Sequence, residues 1–97
     1  MEGWTHRTSS WATVALQVRN TSAAPWSPTE ARLSVVASGE RINVLAVRMR
    51  EPRIEPGTAA LVVVETGAPT WPVGAVLRLE LRDSEGNRRL LIPRFAF

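Results

Sequence analysis

Apolar and polar residues alternate along three stretches of the chain, at positions 13–19, 31–35 and 76–83. A period of two is typical of a β-strand with one face in the core and one face in solvent. In the last stretch, Leu77, Leu79 and Leu81 take the inward phase and charged residues take the outward phase. The pattern therefore predicts three half-buried strands.

Three further stretches are rich in β-branched and apolar residues. Positions 42–49 are apolar on both phases, which predicts a strand that is buried on both faces or carries a bulge. Positions 61–65 are too short and too β-branched to favour a helix. Positions 89–97 contain Pro93, which indicates an edge strand or a bulge because proline cannot donate to a sheet.

Turn-forming residues separate these stretches. The polar run at 20–22 is expected to end the first strand, and Ser38-Gly39-Glu40 and Pro56-Gly57 predict tight turns. The run at 83–87 predicts a hairpin between the last two strands, and Ile54, between two prolines, is expected to enter the core. No stretch has a helical period.

These elements predict an all-β fold, an antiparallel immunoglobulin-like β-sandwich of about six or seven strands. A small barrel is the alternative. The 97 residues are expected to form a single domain, with positions 1–10 as a flexible or edge N-terminal segment. No apolar run is long enough to span a bilayer, and no signal peptide is recognisable.

The composition argues against an enzyme. The chain has no cysteine, one histidine (His6) and one aspartate (Asp83), so a Ser–His–Asp arrangement would need a terminal residue and a turn residue. The acidic pairs Glu51 with Glu55 and Asp83 with Glu85 lie in predicted turns, where carboxylates are solvated. No cofactor, metal or catalytic residue is predicted.

All 12 basic residues are arginine, and the net charge is +3. Arg78 and Arg82 share the outward face of one predicted strand, and Arg89 lies on its hairpin partner with Arg88 and Arg94 nearby. A second cluster is formed by residues 48, 50 and 53. Glutamates interleave both clusters, which favours cross-strand Arg–Glu pairs and a protein partner over nucleic acid.

Two of the four tryptophans lie in proline-rich loops: Trp26 in APWSP and Trp71 in APTWP. Each loop follows one strand and leads into another, so both are expected to be crossovers between the two sheets. Two roles are open for each ring. It can close one end of the core, with proline stiffening the loop, or it can be an exposed contact for a partner.

The segments VALQVRN, APWSPTEARL, VLAVRMREPRIEPGTAALVVVE and VLRLELRDSEGNRRLLIPRF occur in this order. This succession resembles an uncharacterised paralogous family of β-rich myxobacterial proteins, over residues 12–97. The resemblance implies an immunoglobulin-like sandwich. It also implies a secreted or envelope location, although this chain shows no signal peptide.

The function predicted from these observations is a non-enzymatic protein-binding module. Its candidate contact residues are the two loop tryptophans and three sheet arginines, namely Trp26, Trp71, Arg78, Arg82 and Arg89. A structural domain that forms homo-oligomers through an exposed strand edge is an alternative. A carbohydrate-binding module with Trp26 and Trp71 as stacking platforms is another.

Overall fold

The computed structural model describes residues 3–83 and 88–96, and this part of the chain forms eight β-strands and no helix. The all-β class predicted from the sequence is therefore confirmed. The strands are β1 (Gly3–Arg7), β2 (Ala12–Arg19), β3 (Glu30–Val35), β4 (Arg41–Ile42), β5 (Val44–Met49), β6 (Ala59–Thr66), β7 (Val76–Arg82) and β8 (Arg89–Ala96).

The strands form two four-stranded sheets, and every pair of neighbouring strands is antiparallel. Sheet 1 has the order β1-β2-β6-β5, and sheet 2 has the order β4-β3-β7-β8. The two sheets pack into a sandwich rather than the alternative small barrel. The N-terminal segment, for which a flexible or an edge position was expected, contributes β1 at the edge of sheet 1.

The core lies between the sheets and uses the inward positions of the alternating strands. Leu77, Leu79 and Leu81 of β7 are fully buried, as their phase predicts. Ile54 also enters the core, as expected from its place between two prolines. Each buried side chain of this size stabilises the fold by about 1.5–3 kcal/mol. The same cluster includes Val14, Leu16, Val18, Leu33, Val35, Val62 and Val64.

The stretch at 42–49 is not one strand. It divides at Asn43 into β4, which pairs with β3 in sheet 2, and β5, which pairs with β6 in sheet 1. The register of β5 shifts between Val44 and Ala46, so the predicted bulge is confirmed, whereas β5 is not buried on both faces. Ile42, Val44, Val47 and Met49 pack on the core and Leu45 is exposed, so the inward phase changes at this bulge.

Pro93 lies in β8, the edge strand of sheet 2, and the β7–β8 register shifts between Leu77 and Leu79. The edge position and the bulge that this proline indicated are both present. An edge strand needs no partner on its outer side, so proline's missing N–H costs no ladder hydrogen bond there.

Both proline-bracketed tryptophan loops are crossovers between the sheets, as predicted. The Trp26 loop joins β2 to β3, and the Trp71 loop joins β6 to β7. Because the end of β2 lies opposite the start of β6, the two loops close opposite ends of the sandwich.

The turns that position these loops follow the sequence signals. Gly39 and Gly57 have φ of 72° and 77°, which the predicted turns require and which glycine adopts without steric cost. The side-chain oxygen of Asn20 accepts a hydrogen bond from the Ser22 N–H and so ends β2. Of the predicted hairpin turn, residues 84–87 lie outside the described residues.

Candidate partner-binding face

The three arginines predicted as contact residues lie on one surface. Arg78 and Arg82 are in β7 and point away from the core, because the leucines between them point inward. Arg89 lies in β8 directly opposite Arg82. The structure therefore brings these three side chains to the outer face of sheet 2.

Two neighbouring strands add further charged residues to this surface. In the β3–β7 register, Arg32 lies opposite Glu80 and Glu30 lies opposite Arg82. Arg41 of β4 lies opposite Ser34 of β3. We call this surface the arginine face, and define it as the outward residues of sheet 2: Glu30, Arg32, Ser34, Arg41, Arg78, Glu80, Arg82, Arg89 and Leu91.

Glu80 is the acidic centre of the arginine face. Its Oε1 lies 3.5 Å from Nε of Arg82 on the same strand and 4.0 Å from Nη1 of Arg89 on β8. The expected cross-strand pairing thus exists, but one carboxylate serves two guanidinium groups. The face has five arginines and two glutamates, so it carries a net positive charge.

A groove of about 590 Å³ runs along the β3–β4 side of the arginine face. Three of the arginines, Arg32, Arg41 and Arg78, line it. None of them has an acidic partner within 4.0 Å among residues 3–83 and 88–96. Unpaired guanidinium groups around one concave surface attract anionic groups from solution.

The groove also has apolar lining residues. Ala31 and Val44 are partly exposed, whereas Leu33 and Ile42 are buried in the core. The groove therefore has a positively charged side toward the solvent face and an apolar side toward the core.

The second arginine cluster predicted from the sequence is largely neutralised. Nε of Arg48 lies 2.9 Å from Oε2 of Glu65, and Nε of Arg53 lies 2.6 Å from Oε1 of Glu55. These exposed pairs contribute little to stability. Because of these pairs, the second cluster has less unpaired positive charge than the groove of the arginine face.

Trp26 and Trp71 are buried in the core, with 6% and 3% of their surface exposed. The interpretation that each ring closes one end of the core is confirmed, and the alternative of exposed rings is wrong. A stacking platform for a sugar needs an exposed ring face, which neither residue offers. A role of the surrounding loops in partner binding stays a prediction.

The ring of each buried tryptophan contacts an arginine side chain. The guanidinium carbon of Arg88 lies 5.3 Å from the Trp26 ring centroid, and that of Arg7 lies 5.4 Å from the Trp71 centroid. Arg7 also donates a hydrogen bond of 3.0 Å to the Trp71 carbonyl oxygen. The sequence pattern did not reveal these contacts, because they join residues more than 60 positions apart.

Arg88 ties the Trp26 loop together. Its Nη1 donates to the carbonyl oxygens of Ala24 and Pro25 at 3.2 and 3.0 Å, and its Nη2 donates to Oδ1 of Asn20 at 2.9 Å. The Trp26 loop is fixed from its other side by two backbone hydrogen bonds with Ile54. Arg88 is therefore a structural residue, unlike its neighbour Arg89.

Trp4 and Trp11 are the exposed tryptophans, and neither is among the contact residues predicted from the sequence. They are 58% and 44% exposed, and the Trp11 ring lies 5.4 Å from the His6 ring. Both belong to sheet 1 or its first turn, on the opposite side of the sandwich from the arginine face.

The described part of the chain includes both the histidine and the aspartate that were considered as catalytic residues. Residues 3–83 and 88–96 contain no group of three or more histidine and acidic side chains placed to hold a metal ion. His6 packs on Trp11 and lies in β1, whereas Asp83 follows β7 in the other sheet. In the same part of the chain, no helix has the length and hydrophobicity to cross a membrane.

The protein is a small antiparallel β-sandwich, and the outer face of its sheet 2 is rich in arginine. The chain belongs to a family described as protein of unknown function (DUF2381), whose model matches residues 2–95. The resemblance to an uncharacterised domain family is thereby confirmed. No curated protein shows significant similarity to the chain.

Proposed function

We propose that the chain is a non-enzymatic protein-binding module whose contact surface is the arginine face. The observation that carries this proposal is the groove lined by Arg32, Arg41 and Arg78, which have no acidic partners among the described residues. Guanidinium groups bind carboxylates through paired hydrogen bonds, and arginine is enriched at protein interfaces. The partner is therefore a protein with an acidic surface.

The residues that line the groove favour a protein over a nucleic acid. The described lining has no aromatic side chain, whereas proteins that bind single strands stack bases on aromatic rings. In this proposal Trp26 and Trp71 support the fold, and the arginines contact the partner.

Binding of poly-L-glutamate tests the proposal. We expect the chain to bind this polymer at low salt and to lose affinity as salt rises, since the contact is electrostatic. The Arg41→Glu/Arg78→Glu variant should weaken binding by at least about tenfold, because two attractive contacts become repulsive. Fluorescence anisotropy of labelled poly-L-glutamate measures both effects.

The matched control is Arg50→Glu/Arg53→Glu. It makes the same change in net charge at sites outside the groove lining. Equal losses of affinity in both variants would show that total charge, not the arginine face, binds the polymer. Tighter binding of a single-stranded oligonucleotide than of poly-L-glutamate would favour a nucleic-acid partner instead.

We also propose that the sandwich is immunoglobulin-like. The orders β1-β2-β6-β5 and β4-β3-β7-β8 correspond to the ABED and C′CFG sheets of that fold, which supports this connectivity. A myxobacterial origin and a secreted or envelope location are proposals that rest on the sequence resemblance. Antibody labelling of an epitope-tagged chain on intact, unpermeabilised cells would test the location, since only a tag outside the cell is labelled.

A further inference from the structure

One side of β3 is only partly covered by its neighbour. β4 has two residues, and they pair with Leu33 and Ser34 alone. After Ile42 the chain leaves for sheet 1, so within the described residues no strand pairs with Ala31 on this side. The edge of β3 is therefore unpaired at Ala31 and open to the groove, with the start of β5 nearby.

The hydrogen bonds at the end of β3 show which backbone groups face this open edge. The Val35 N–H bonds the Glu40 oxygen beside β4, whereas the Val36 N–H bonds the Val76 oxygen beside β7. Backbone groups alternate between the two sides of an antiparallel strand. The N–H and C=O of Ala31 therefore point toward the open edge and the groove.

The lining of the groove matches the two faces of a further strand. Alternate side chains of a strand point to opposite faces of a sheet. Those on the core side would meet the partly exposed Ala31 and Val44, and those on the solvent side would meet Arg32, Arg41 and Arg78. A strand that alternates apolar and acidic residues fits both sides of the groove.

We propose that the groove binds an extended acidic segment of a partner protein, which adds to the open edge of β3 as a strand beside β4. This inference rests on the protein-binding function proposed above and names the form of the partner. Main-chain hydrogen bonds to Ala31 supply affinity, and the three arginines select acidic side chains.

Peptides of equal charge test the inference. The probe is a short synthetic peptide of alternating glutamate and valine. It is compared with a peptide of the same composition in two blocks and with the alternating peptide N-methylated at every second residue. We expect the alternating peptide to bind at least about tenfold more tightly than either control. The block peptide lacks separate apolar and acidic faces, and the N-methylated peptide lacks the N–H groups that bond to β3.

A variant of the protein tests the same contact from the other side. Ala31→Pro removes the N–H that faces the groove and leaves every charge in place. No ladder hydrogen bond is lost, because β4 does not pair with Ala31. The variant should bind the alternating peptide about tenfold more weakly and bind poly-L-glutamate with unchanged affinity. Thermal unfolding of this variant is measured in parallel, and the N-methylated peptide gives the same answer without altering the protein.

The outcomes separate the two proposals. If all three peptides bind equally and Arg41→Glu/Arg78→Glu weakens each of them, the added strand is wrong and the arginine face remains the binding surface. If that variant weakens none of them, the proposed function fails. A dimer in sedimentation analysis that Ala31→Pro dissociates would assign the open edge to a second copy of this chain and overturn the inference.

Discussion

At the scale of single residues, Arg7 and Arg88 hold in place the two tryptophan loops that close the ends of the core. Each guanidinium lies over a buried ring and bonds the backbone of the same loop. The planar group offers several donors in fixed directions, so one side chain satisfies several loop carbonyls at once. Such a contact combines cation–π attraction with loop closure.

Removal of Arg88 should destabilise the protein. We expect Arg88→Ala to lower the free energy of unfolding by about 2 kcal/mol, since it removes charged hydrogen bonds to Ala24, Pro25 and Asn20. Arg88→Lys should recover only part of this loss, because an ammonium group lacks the planar fork. Urea unfolding followed by fluorescence measures both.

Arg89→Ala is the control for this prediction. Arg89 is the next residue, but among the described residues its acidic neighbour, Glu80, is 4.0 Å away, and its side chain is 64% exposed. We expect a change of less than about 0.5 kcal/mol, which is usual for surface substitutions. Equal effects at Arg88 and Arg89 would contradict the structural role of Arg88.

Some of these residues could be predicted from the sequence and others could not. Alternation alone places Leu77, Leu79 and Leu81 inward and Arg78 and Arg82 outward. Alternation gives no information on which strands are neighbours. Arg32 and Arg41 join the arginine face only through the β3–β7 and β3–β4 pairings, which depend on the whole fold.

At the scale of elements, the strands differ in the number of neighbouring strands with which they pair. β2 and β6 lie in the centre of sheet 1, and β3 and β7 lie in the centre of sheet 2. The edge strands β1, β4, β5 and β8 each have one neighbour in their sheet. Central strands therefore open only when the sandwich itself opens, whereas an edge strand can separate alone.

Hydrogen exchange should follow this division. We expect the hydrogen-bonded amides shared by β2 and β6 to exchange at least about ten times more slowly than those that join β1 to β2, because local opening releases only the edge. Exchange measured by NMR at each amide checks this. Equal protection of β1 and β6 would mean that β1 opens only with the core.

The division of the stretch 42–49 shows why element boundaries are hard to predict. An apolar run on both phases is equally compatible with one fully buried strand and with a strand whose inward phase changes at a bulge. Asn43, the single polar residue between β4 and β5, marks the crossing. Its signal is weak, because asparagine also occurs at bulges and turns.

At the scale of the whole molecule, the two crossovers hold the sheets together at opposite ends. The Trp26 loop lies where β2 ends, and the Trp71 loop lies where β6 ends. The sandwich is 39 Å along its longest axis. In the described part of the chain, the hydrogen bonds of Arg7 and Arg88 go to different loops, so the two contacts should contribute independently.

Independence predicts additive effects of Arg7→Ala and Arg88→Ala. The double variant should lose the sum of the two single losses to within about 0.5 kcal/mol, as is usual for distant sites. Denaturant unfolding of the four proteins completes the cycle. A deviation greater than about 1 kcal/mol would show that the two ends are coupled through the packing of the sheets.

The closure of both ends by tryptophan and arginine also bears on where such a fold can persist. Antibody domains, which are also β-sandwiches, join their sheets by a disulfide, which reducing conditions break. This chain has no cysteine, and indole and guanidinium groups keep their contacts at any thiol–disulfide potential. The same molecule is therefore expected to keep its shape on either side of a membrane.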